Sequence, residues 1–261
     1  CSDDRTPEII AQDFPDIRLI HFDSPLTVSK LRAEAITCAR GEIIAILDPY
    51  SMVAGNWLSE TVRVHAERPN RAIGGAVEPY DPNTLPFLFW ATYINEYGMF
   101  MSPVREGVTD ILPGSNISYK RESLFDGETP RYDDFWKTFV NWSVEMGESP
   151  LWLAPSIVVL LNKPIPFVQF FRSRFDHGRC FAGMRTANSS YLERAVRAVT
   201  SPVIPLLLIW RWSRVYWSKR RYRSQLLLTL PIQLLLFGNW ALGEAVGYCR
   251  GSGKSCSRLY Y

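Results

Sequence analysis

The sequence predicts an α/β fold, in which a mostly parallel sheet carries helices on both faces. Strand-like and helix-like apolar runs alternate from about residue 17 to residue 161. The apolar run Ile43–Leu47 is followed directly by an acidic residue, Asp48, and Pro49 then ends the strand and begins a loop. At 261 residues and 47% hydrophobic, the chain is large enough to bury one core. Ligands of open α/β sheets bind at the carboxyl ends of strands, so we expect Asp48 to face a ligand.

The first half of the chain supplies the alternating elements. Spacing and breaker residues predict a strand at Ile17–His21, a helix at Val28–Cys38, a strand at Ile43–Leu47, a helix at Trp57–His65 and a strand at Ile73–Val77.

The second half continues the pattern up to Arg185. Its elements are an aromatic helix and loop at Pro86–Met101, a helix at Tyr132–Met146, strands at Leu151–Ala154 and Ile157–Leu161, and a helix at Val168–Arg185. Gly147 is suited to end the helix at Tyr132–Met146. We expect the aromatic side chains of the first to pack in the core, because large aromatics do so more often than they stack on sugars.

Composition excludes several classes of protein. The net charge of +3 and the lack of a basic arm interleaved with aromatics argue against a nucleic-acid partner. The five cysteines are scattered and form no C-x-x-C pair. This spacing predicts neither a zinc site nor a disulfide framework, and it is typical of a reducing, cytosolic compartment.

Ordered motifs in this chain resemble the family 2 glycosyltransferases. Residues 39–48, followed by Gly55-Asn56-Trp57-Leu58, are similar to the family's "A-x-G-E-x-I-x-x-L-D" and "G-W-L". Residues 114–121 are similar to its "G-x-N-x-x-x-R-R" segment, and residues 178–182 to its "Y-G-R-x-x-A" helix. The resemblance covers about residues 1–190. It implies a GT-A-type domain there and a helical, membrane-associated region over residues 191–261.

The resemblance also implies an activity. Enzymes of this family transfer a sugar, with inversion, from a nucleotide-sugar donor to a saccharide or lipid-linked acceptor, here at the cytoplasmic membrane face. Their Asp-x-Asp motif holds Mg²⁺ or Mn²⁺ through hard oxygen ligands. The motif reads Asp48-Pro49-Tyr50 in this chain. Asp48 is therefore the expected metal ligand, and Tyr50 in place of the second acid weakens the metal site. An Asp that only forms a turn before Pro is the alternative.

The same resemblance implies the remaining site residues. The family's general base lies at the start of the helix after the Gly-x-Asn segment, where Asp134 is the first choice and Asp133 the second. Both acids are also expected as helix caps. In another alignment the acid falls on Lys137, and the base is then missing. Asn116 is expected to contact donor or acceptor, with Gly114 allowing close backbone approach, although Asn in a turn explains it nearly as well.

Rival hypotheses rest on what the chain lacks. The family's "V-x-V-I-I-P-T-Y-N" strand, which holds the nucleotide base, is absent from this sequence. We expect either a fragment of a longer chain or a member that lost part of its donor pocket. Together with Tyr50 and Lys137, this favours a catalytically inactive scaffold or partner subunit as the alternative function. A nucleotidyltransferase would need a Gly-rich phosphate loop near its start, and the sequence has none.

The residues after 191 predict membrane association. Val199–Trp210 is short for a bilayer span of about 20 residues, whereas Leu226–Leu242 is a better candidate. Six basic residues lie between Trp210 and Gln225 without an acid. If both segments crossed, this basic loop would be cytoplasmic and the catalytic domain would lie outside. We therefore expect Val199–Trp217 in the interface and at most Leu226–Tyr248 inserted. A helical pair packed on the domain is the alternative.

Overall fold

The computed structural model describes residues 5–147, 149–162 and 166–259. Its strands are β1 (Ile43–Leu47), β2 (Ser51–Val53), β3 (Ala72–Pro79), β4 (Gly107–Thr109), β5 (Asn116–Lys120), β6 (Phe125–Asp126), β7 (Thr129–Pro130) and β8 (Leu151–Leu161). Its helices are α1 (Thr6–Asp13), α2 (Val28–Cys38), α3 (Trp57–Glu67), α4 (Phe87–Glu96), α5 (Arg121–Leu124), α6 (Lys137–Met146), α7 (Phe167–Arg185), α8 (Tyr191–Thr200), α9 (Ile204–Lys219) and α10 (Arg223–Arg250).

The central sheet is mixed. Its order is β1-β5-β3-β8-β2, and β4 also pairs with β8. β5 is antiparallel to both β1 and β3, and β2 and β4 are antiparallel to β8. The predicted α/β fold with a helix-flanked sheet is confirmed. The expectation of a mostly parallel sheet is wrong, because β3–β8 is the one parallel pairing among the described strands. β5 is inserted between β1 and β3, which hydrophobic periodicity alone does not reveal.

Three local predictions need correction. Residues 17–21 form no strand; they are exposed, and no described strand pairs with them. The helix expected from Tyr132 begins at Lys137, so Asp133 and Asp134 precede it instead of opening it. Residues 151–161 form one strand with a bulge, because its pairing with β3 jumps from Ala154 to Val158.

The aromatic segment packs in the core, as expected. Phe89, Trp90 and Tyr93 of α4 are buried, and the Tyr93 hydroxyl donates to the Val77 carbonyl over 2.9 Å. This anchoring fixes α4 on the sheet. The end of the helix, with Glu96 and Tyr97, is thereby held beside the carboxyl end of β1.

The C-terminal helices pack on the α/β part. α10 lies against α7, where a side chain at Gly243 would overlap the Phe175 carbonyl. It also contacts α4, since Gln233 donates to the Ala91 carbonyl over 2.8 Å and accepts from the Asn95 amide over 3.1 Å. Among the helices that the structure describes, α10 alone is long and apolar enough to cross a membrane.

A disulfide joins Cys180 of α7 to Cys256, 76 residues later in the chain. This finding corrects the prediction of unpaired cysteines. Nothing in the local spacing indicates such a bond, because α10 must first fold back along α7. Cys38 and Cys249 are free thiols.

Candidate active site

A cleft of about 500 Å³ lies at the carboxyl end of β1, between α2, α4, α6 and α7. Titratable side chains line it from all of these elements and from the loop after β1: Arg32, Asp48, Tyr50, Glu96, Tyr97, Lys137, Arg174 and His177. Asp48, directly after β1, lines this cleft, and its contact with a ligand stays a prediction. Gly114 also lines the cleft.

Both oxygens of the Asp48 carboxylate are engaged by neighbouring side chains. Arg32 Nη2 lies 2.5 Å from Oδ1, and the Tyr97 hydroxyl donates to Oδ2 over 2.9 Å. The Arg32 and Asp48 side chains are 22% and 21% exposed, so the pair remains open to the cleft. Charge-assisted hydrogen bonds of this kind orient a carboxylate strongly.

A second network joins α4 to α7. Arg174 Nη1 lies 2.7 Å from Glu96 Oε2, and Arg174 Nη2 lies 2.8 Å from His177 Nδ1. Burial, reinforced by the Arg174 charge, lowers the pKa of His177 to about 3. His177 is therefore neutral at neutral pH. Burial raises the pKa of Glu96, but the charge of Arg174, its hydrogen bond and smaller contributions from neighbouring groups together outweigh burial and lower that pKa, so Glu96 is ionised.

Lys137 is a cation without a carboxylate partner in the part of the chain that is described. Its ammonium donates to the Leu112 carbonyl over 3.0 Å, and no described carboxylate lies within salt-bridge distance. Its aliphatic chain rests on Gly114, where a Cβ atom would lie 3.5 Å from Lys137 Cδ. A Cβ atom at Gly114 would make only an ordinary van der Waals contact with Lys137, so this neighbour does not require a glycine, and the close approach of a ligand to Gly114 stays a prediction. Burial lowers the pKa of Lys137.

Asn116 lies inside the sheet and does not line the cleft. Its side-chain oxygen accepts from Trp57 Nε1 over 3.0 Å, and its nitrogen donates to the carbonyls of Ala76 (2.8 Å) and Ile157 (3.0 Å). The amide thus satisfies a carbonyl freed by the β8 bulge. We expected Asn116 to contact a substrate. In the structure its side chain instead bridges Trp57 and two backbone carbonyls, and the residue is only 1% exposed. Sequence reasoning missed this because the bulge is not visible in the motif.

Asp133 and Asp134 are exposed and lie behind the cleft lining. Asp134 Oδ1 accepts a hydrogen bond from the Ser29 hydroxyl over 3.3 Å, and Ser29 does line the cleft. The Asp133 carbonyl accepts from Lys30 Nζ over 3.1 Å. Asp134 therefore does not line the cleft itself, but it hydrogen-bonds to Ser29, which does.

The residues present do not fit a protein-held divalent cation. No group of three or more His, Cys, Asp or Glu side chains that could hold a metal occurs among the described residues. Asp48 is already neutralised by a guanidinium 2.5 Å away, and Tyr50 stands where a second acid would be needed. Hard cations of this kind require several oxygen ligands.

Aromatic side chains from α6, α7, α10 and the residues before α6 line a part of the cleft that we call its aromatic end. They are Phe135, Trp136, Phe139, Phe170, Phe181 and Trp240. Phe139 and Phe181 contact each other with ring centroids 6.4 Å apart, and Phe181 lies 6.0 Å from Trp240. One cleft therefore combines charged and aromatic side chains, and the two sets adjoin, since the Arg174 guanidinium lies 4.3 Å from the Phe170 ring centroid and 5.6 Å from that of Trp240.

The comparisons with known proteins agree with this architecture. The profile of the family described as Glycosyl transferase family 2 matches residues 1–125. The solved structure of mannosyltransferase PcManGT from Pyrobaculum calidifontis, in complex with GDP-Man and Mn²⁺, is similar in fold, with a TM-score of 0.58 and 15% identity. That similarity covers 96% of this chain and 76% of PcManGT. No curated protein sequence matches the chain. Residues 1–125 therefore carry the sequence pattern of glycosyltransferase family 2, and the described fold is that of a GT-A glycosyltransferase.

Proposed function

We propose that this protein transfers a sugar, with inversion, from a nucleotide-sugar donor to a saccharide or lipid-linked acceptor. The observation that carries the proposal is the cleft at the end of β1, where Asp48 lies among cationic side chains. The family pattern of residues 1–125 supports a glycosyl transfer. The solved neighbour holds GDP-Man, which supports a nucleotide-sugar donor for this fold.

The charges of the cleft suit the leaving diphosphate of such a donor. Three cations, Arg32, Lys137 and Arg174, face two carboxylates, Asp48 and Glu96, so the cleft carries excess positive charge. Sugar transfer builds negative charge on the departing diphosphate. Fixed positive groups at that position stabilise the transition state without reorganisation.

For the general base we propose Asp134, with Asp133 second. Asp134 is linked to the cleft through Ser29. The competing carboxylate is Glu96, which lies in the cleft but is held by Arg174 and has a lowered pKa, so it is a poor proton acceptor. The discriminating variants are Asp134→Asn and Glu96→Gln. We expect the first to slow transfer about 100-fold or more with donor affinity unchanged. A loss confined to Glu96→Gln would assign the base to Glu96.

The aromatic end of the cleft suits the acceptor. Trp136, Phe139, Phe181 and Trp240 present ring faces and edges, on which a sugar ring or a lipid chain packs. This end borders α10, whose outer face is apolar. We therefore place the acceptor between the aromatic side chains and the membrane.

Exposed apolar and basic side chains support a position at the cytoplasmic membrane face. Leucine side chains are exposed to solvent on α9 and α10, and Arg211, Arg214 and Arg220 in the same region are also exposed. The exposed leucines are Leu206, Leu207, Leu227, Leu228, Leu234, Leu235 and Leu242. The opposite face of α10 packs Gln233 and Glu244 against protein. We propose a transferase domain over residues 1–190 and a region over 191–261 that lies on the membrane, where basic side chains attract anionic lipid.

The test of function is donor turnover by the 261-residue chain in lipid nanodiscs. GDP-mannose and UDP-glucose serve as donors, and binding and release of the nucleoside diphosphate are measured separately, with and without a mixed oligosaccharide and lipid acceptor pool. We expect one donor to bind and to be turned over when acceptor is added. Tyr50, where the resemblance implies a second acid, and Lys137, where another alignment implies one, favour the second candidate, an inactive scaffold. Donor binding without release under every condition would support it.

A further inference from the structure

We propose that Arg32 and Lys137, with the amino end of α6, form the diphosphate site of the cleft and take the place of a divalent cation. Donor binding then needs no metal. This inference rests on the proposed function, because it assigns the donor's diphosphate to particular side chains. It starts from the misfit between the residues of the cleft and a metal site.

The first step concerns Asp48. In a metal site its oxygens would bind the cation, but here Arg32 Nη2 occupies Oδ1 at 2.5 Å and Tyr97 occupies Oδ2 at 2.9 Å. A positive charge therefore already lies beside the carboxylate. Arg32 also has four further N–H donors, and the Asp48 contact is its one hydrogen bond among the described residues. A guanidinium with remaining donors binds phosphate oxygens in a bidentate manner.

The second step concerns Lys137. Its ammonium uses one of three donors on the Leu112 carbonyl and has no carboxylate partner among the described residues. Lys137 is partly buried, and a cation in a poorly solvated site is normally paired because leaving its charge there is costly. An anion that enters the cleft supplies the missing partner. The charges of Glu96 and Asp48 favour the ammonium from a distance, but each of these carboxylates is paired directly with an arginine, Arg174 at 2.7 Å and Arg32 at 2.5 Å.

The third step concerns the amino end of α6. This helix has ten residues and begins at Lys137; Trp136, its N-cap residue, supplies no side-chain cap. Trp136, Lys137, Thr138 and Phe139 all line the cleft. The first N–H groups of a helix and its dipole favour an anion at this end. The helix end without a side-chain cap and Lys137, whose ammonium has no carboxylate partner among the described residues, thus both belong to the lining of the cleft.

The substitutions in the motifs act in the same direction. Tyr50 stands in place of an acid that would hold a metal, and Lys137 stands where another alignment expects an acid. Each change makes the cleft less negative. A site that lost its metal would need such compensation, since a diphosphate without a counter-charge is repelled by Asp48.

The test is calorimetric binding of inorganic pyrophosphate and of GDP-mannose and UDP-glucose to the chain in nanodiscs, with excess EDTA or with Mn²⁺. We expect pyrophosphate to bind in EDTA, with an affinity that Mn²⁺ changes less than about threefold. Lys137→Met and Arg32→Gln should each weaken binding in EDTA about tenfold or more, as expected for loss of a charged hydrogen bond. Lys137→Arg, which keeps the charge, should retain most of the affinity.

Matched controls separate the site from general effects of charge and folding. Lys254→Met removes an exposed lysine away from the cleft, and Arg63→Gln removes a helical arginine that pairs with Glu60 and Glu67. Both should bind pyrophosphate like the parent chain. Melting temperatures of all variants identify any that fail to fold; if Lys137→Met does not fold, Arg32→Gln carries the test, and full metal-free affinity in that folded variant then overturns the inference.

Two results would overturn the inference and leave the proposed function intact. One is donor binding that requires Mn²⁺ and disappears in EDTA. The other is full metal-free affinity in a folded Lys137→Met variant. If pyrophosphate binds through Lys137 but neither donor binds, the anion site stands and the proposed function fails. If none of the three binds under either condition, both are wrong.

Discussion

Arg32 of α2 and Asp48 at the end of β1 form an ion pair of 2.5 Å inside the cleft. The pair places a guanidinium where a metal-dependent site needs a cation. We predict that the double variant Arg32→Ala/Tyr50→Asp converts the cleft to metal dependence, because it frees one Asp48 oxygen and adds a second carboxylate. Mn²⁺ should then raise donor affinity about tenfold.

The single variants provide the control for this conversion. Tyr50→Asp alone retains Arg32, which remains beside the carboxylates, so its gain from Mn²⁺ should be small. Calorimetry of donor binding at several Mn²⁺ concentrations measures the effect. An unchanged metal response in the folded double variant would show that these positions do not lie at the diphosphate.

Asn116 is predicted to act on stability and not on substrate contact. Asn116→Ala leaves Trp57 Nε1 and the carbonyls of Ala76 and Ile157 without their partners in the core. Each unpaired buried group costs about 1–3 kcal/mol, so we expect the unfolding free energy to fall by about 3 kcal/mol or more. Urea unfolding measures this loss, and exposed Asn83→Ala is the control. An unchanged midpoint together with weaker donor binding would return Asn116 to the substrate site.

His65 is predicted to make the fold sensitive to acid. Its Nε2 lies 2.9 Å from the Ser118 hydroxyl, while Nδ1 has no partner among the described residues. Burial, with a contribution from the charge of Lys120, lowers its pKa to about 4. The unfolded chain binds this proton near pH 6.5. The contribution of His65 to the free energy of unfolding is therefore fully present above about pH 6.5. It falls as the pH drops toward 4, by at most about 1.4 kcal/mol per pH unit.

The matched variant for this effect is His65→Gln, which cannot take up the proton. Its urea midpoint should vary less with pH than that of the parent chain, while exposed His21→Gln should not alter the dependence. Part of the pH dependence of the urea midpoint remains in His65→Gln, because the lowered pKa of His177 acts in the same direction. Identical slopes in both variants and the parent would contradict the assignment.

The apolar face of α10 is predicted to hold the protein on the membrane. Leu227→Asp/Leu228→Asp alters two leucines that are 56% and 68% exposed. We expect this variant to lose flotation with vesicles that contain anionic lipid, whereas Leu58→Asp on α3 keeps it. Because we propose that α10 lies on the bilayer instead of spanning it, alkaline carbonate should release the parent chain. Retention after carbonate would show that α10 spans the membrane.

The disulfide is predicted to stabilise the wall of the cleft. Cys256 lies near Leu259, which lines the cleft and whose carbonyl accepts from the Val28 amide. Cys256→Ser should lower the unfolding free energy by about 2–4 kcal/mol under oxidising conditions, and exposed Cys249→Ser should not. Equal stability of the two variants would contradict this role.

The same disulfide tests the cytoplasmic placement. Disulfides are rare in reducing compartments. Cytoplasmic placement therefore predicts that Cys180 and Cys256 are alkylated as free thiols when intact cells are treated before lysis. Recovery of the bonded pair from such cells, measured by mass spectrometry, would place this region outside the cytosol.

Local sequence signals predicted the elements whose structure is decided locally. α2 and β1 lie at the expected residues because apolar spacing and capping define them. The direction of β5 was not predicted, since it depends on which strands it pairs with. Asp48 and Gly114 were found through motifs. Arg32, Glu96 and Arg174 were missed because they reach the cleft from three helices, which only the tertiary fold brings together.

Hydrogen–deuterium exchange of the chain with and without donor tests the central claim most directly. The claim is that the cleft between β1 and α6 binds a nucleotide sugar through its diphosphate. GDP-mannose or UDP-glucose, whichever binds, should slow exchange in peptides that cover residues 44–52 and 134–142. Peptides from α3, away from the cleft, should not change. Protection elsewhere, with neither cleft peptide affected at saturating donor, would contradict the account.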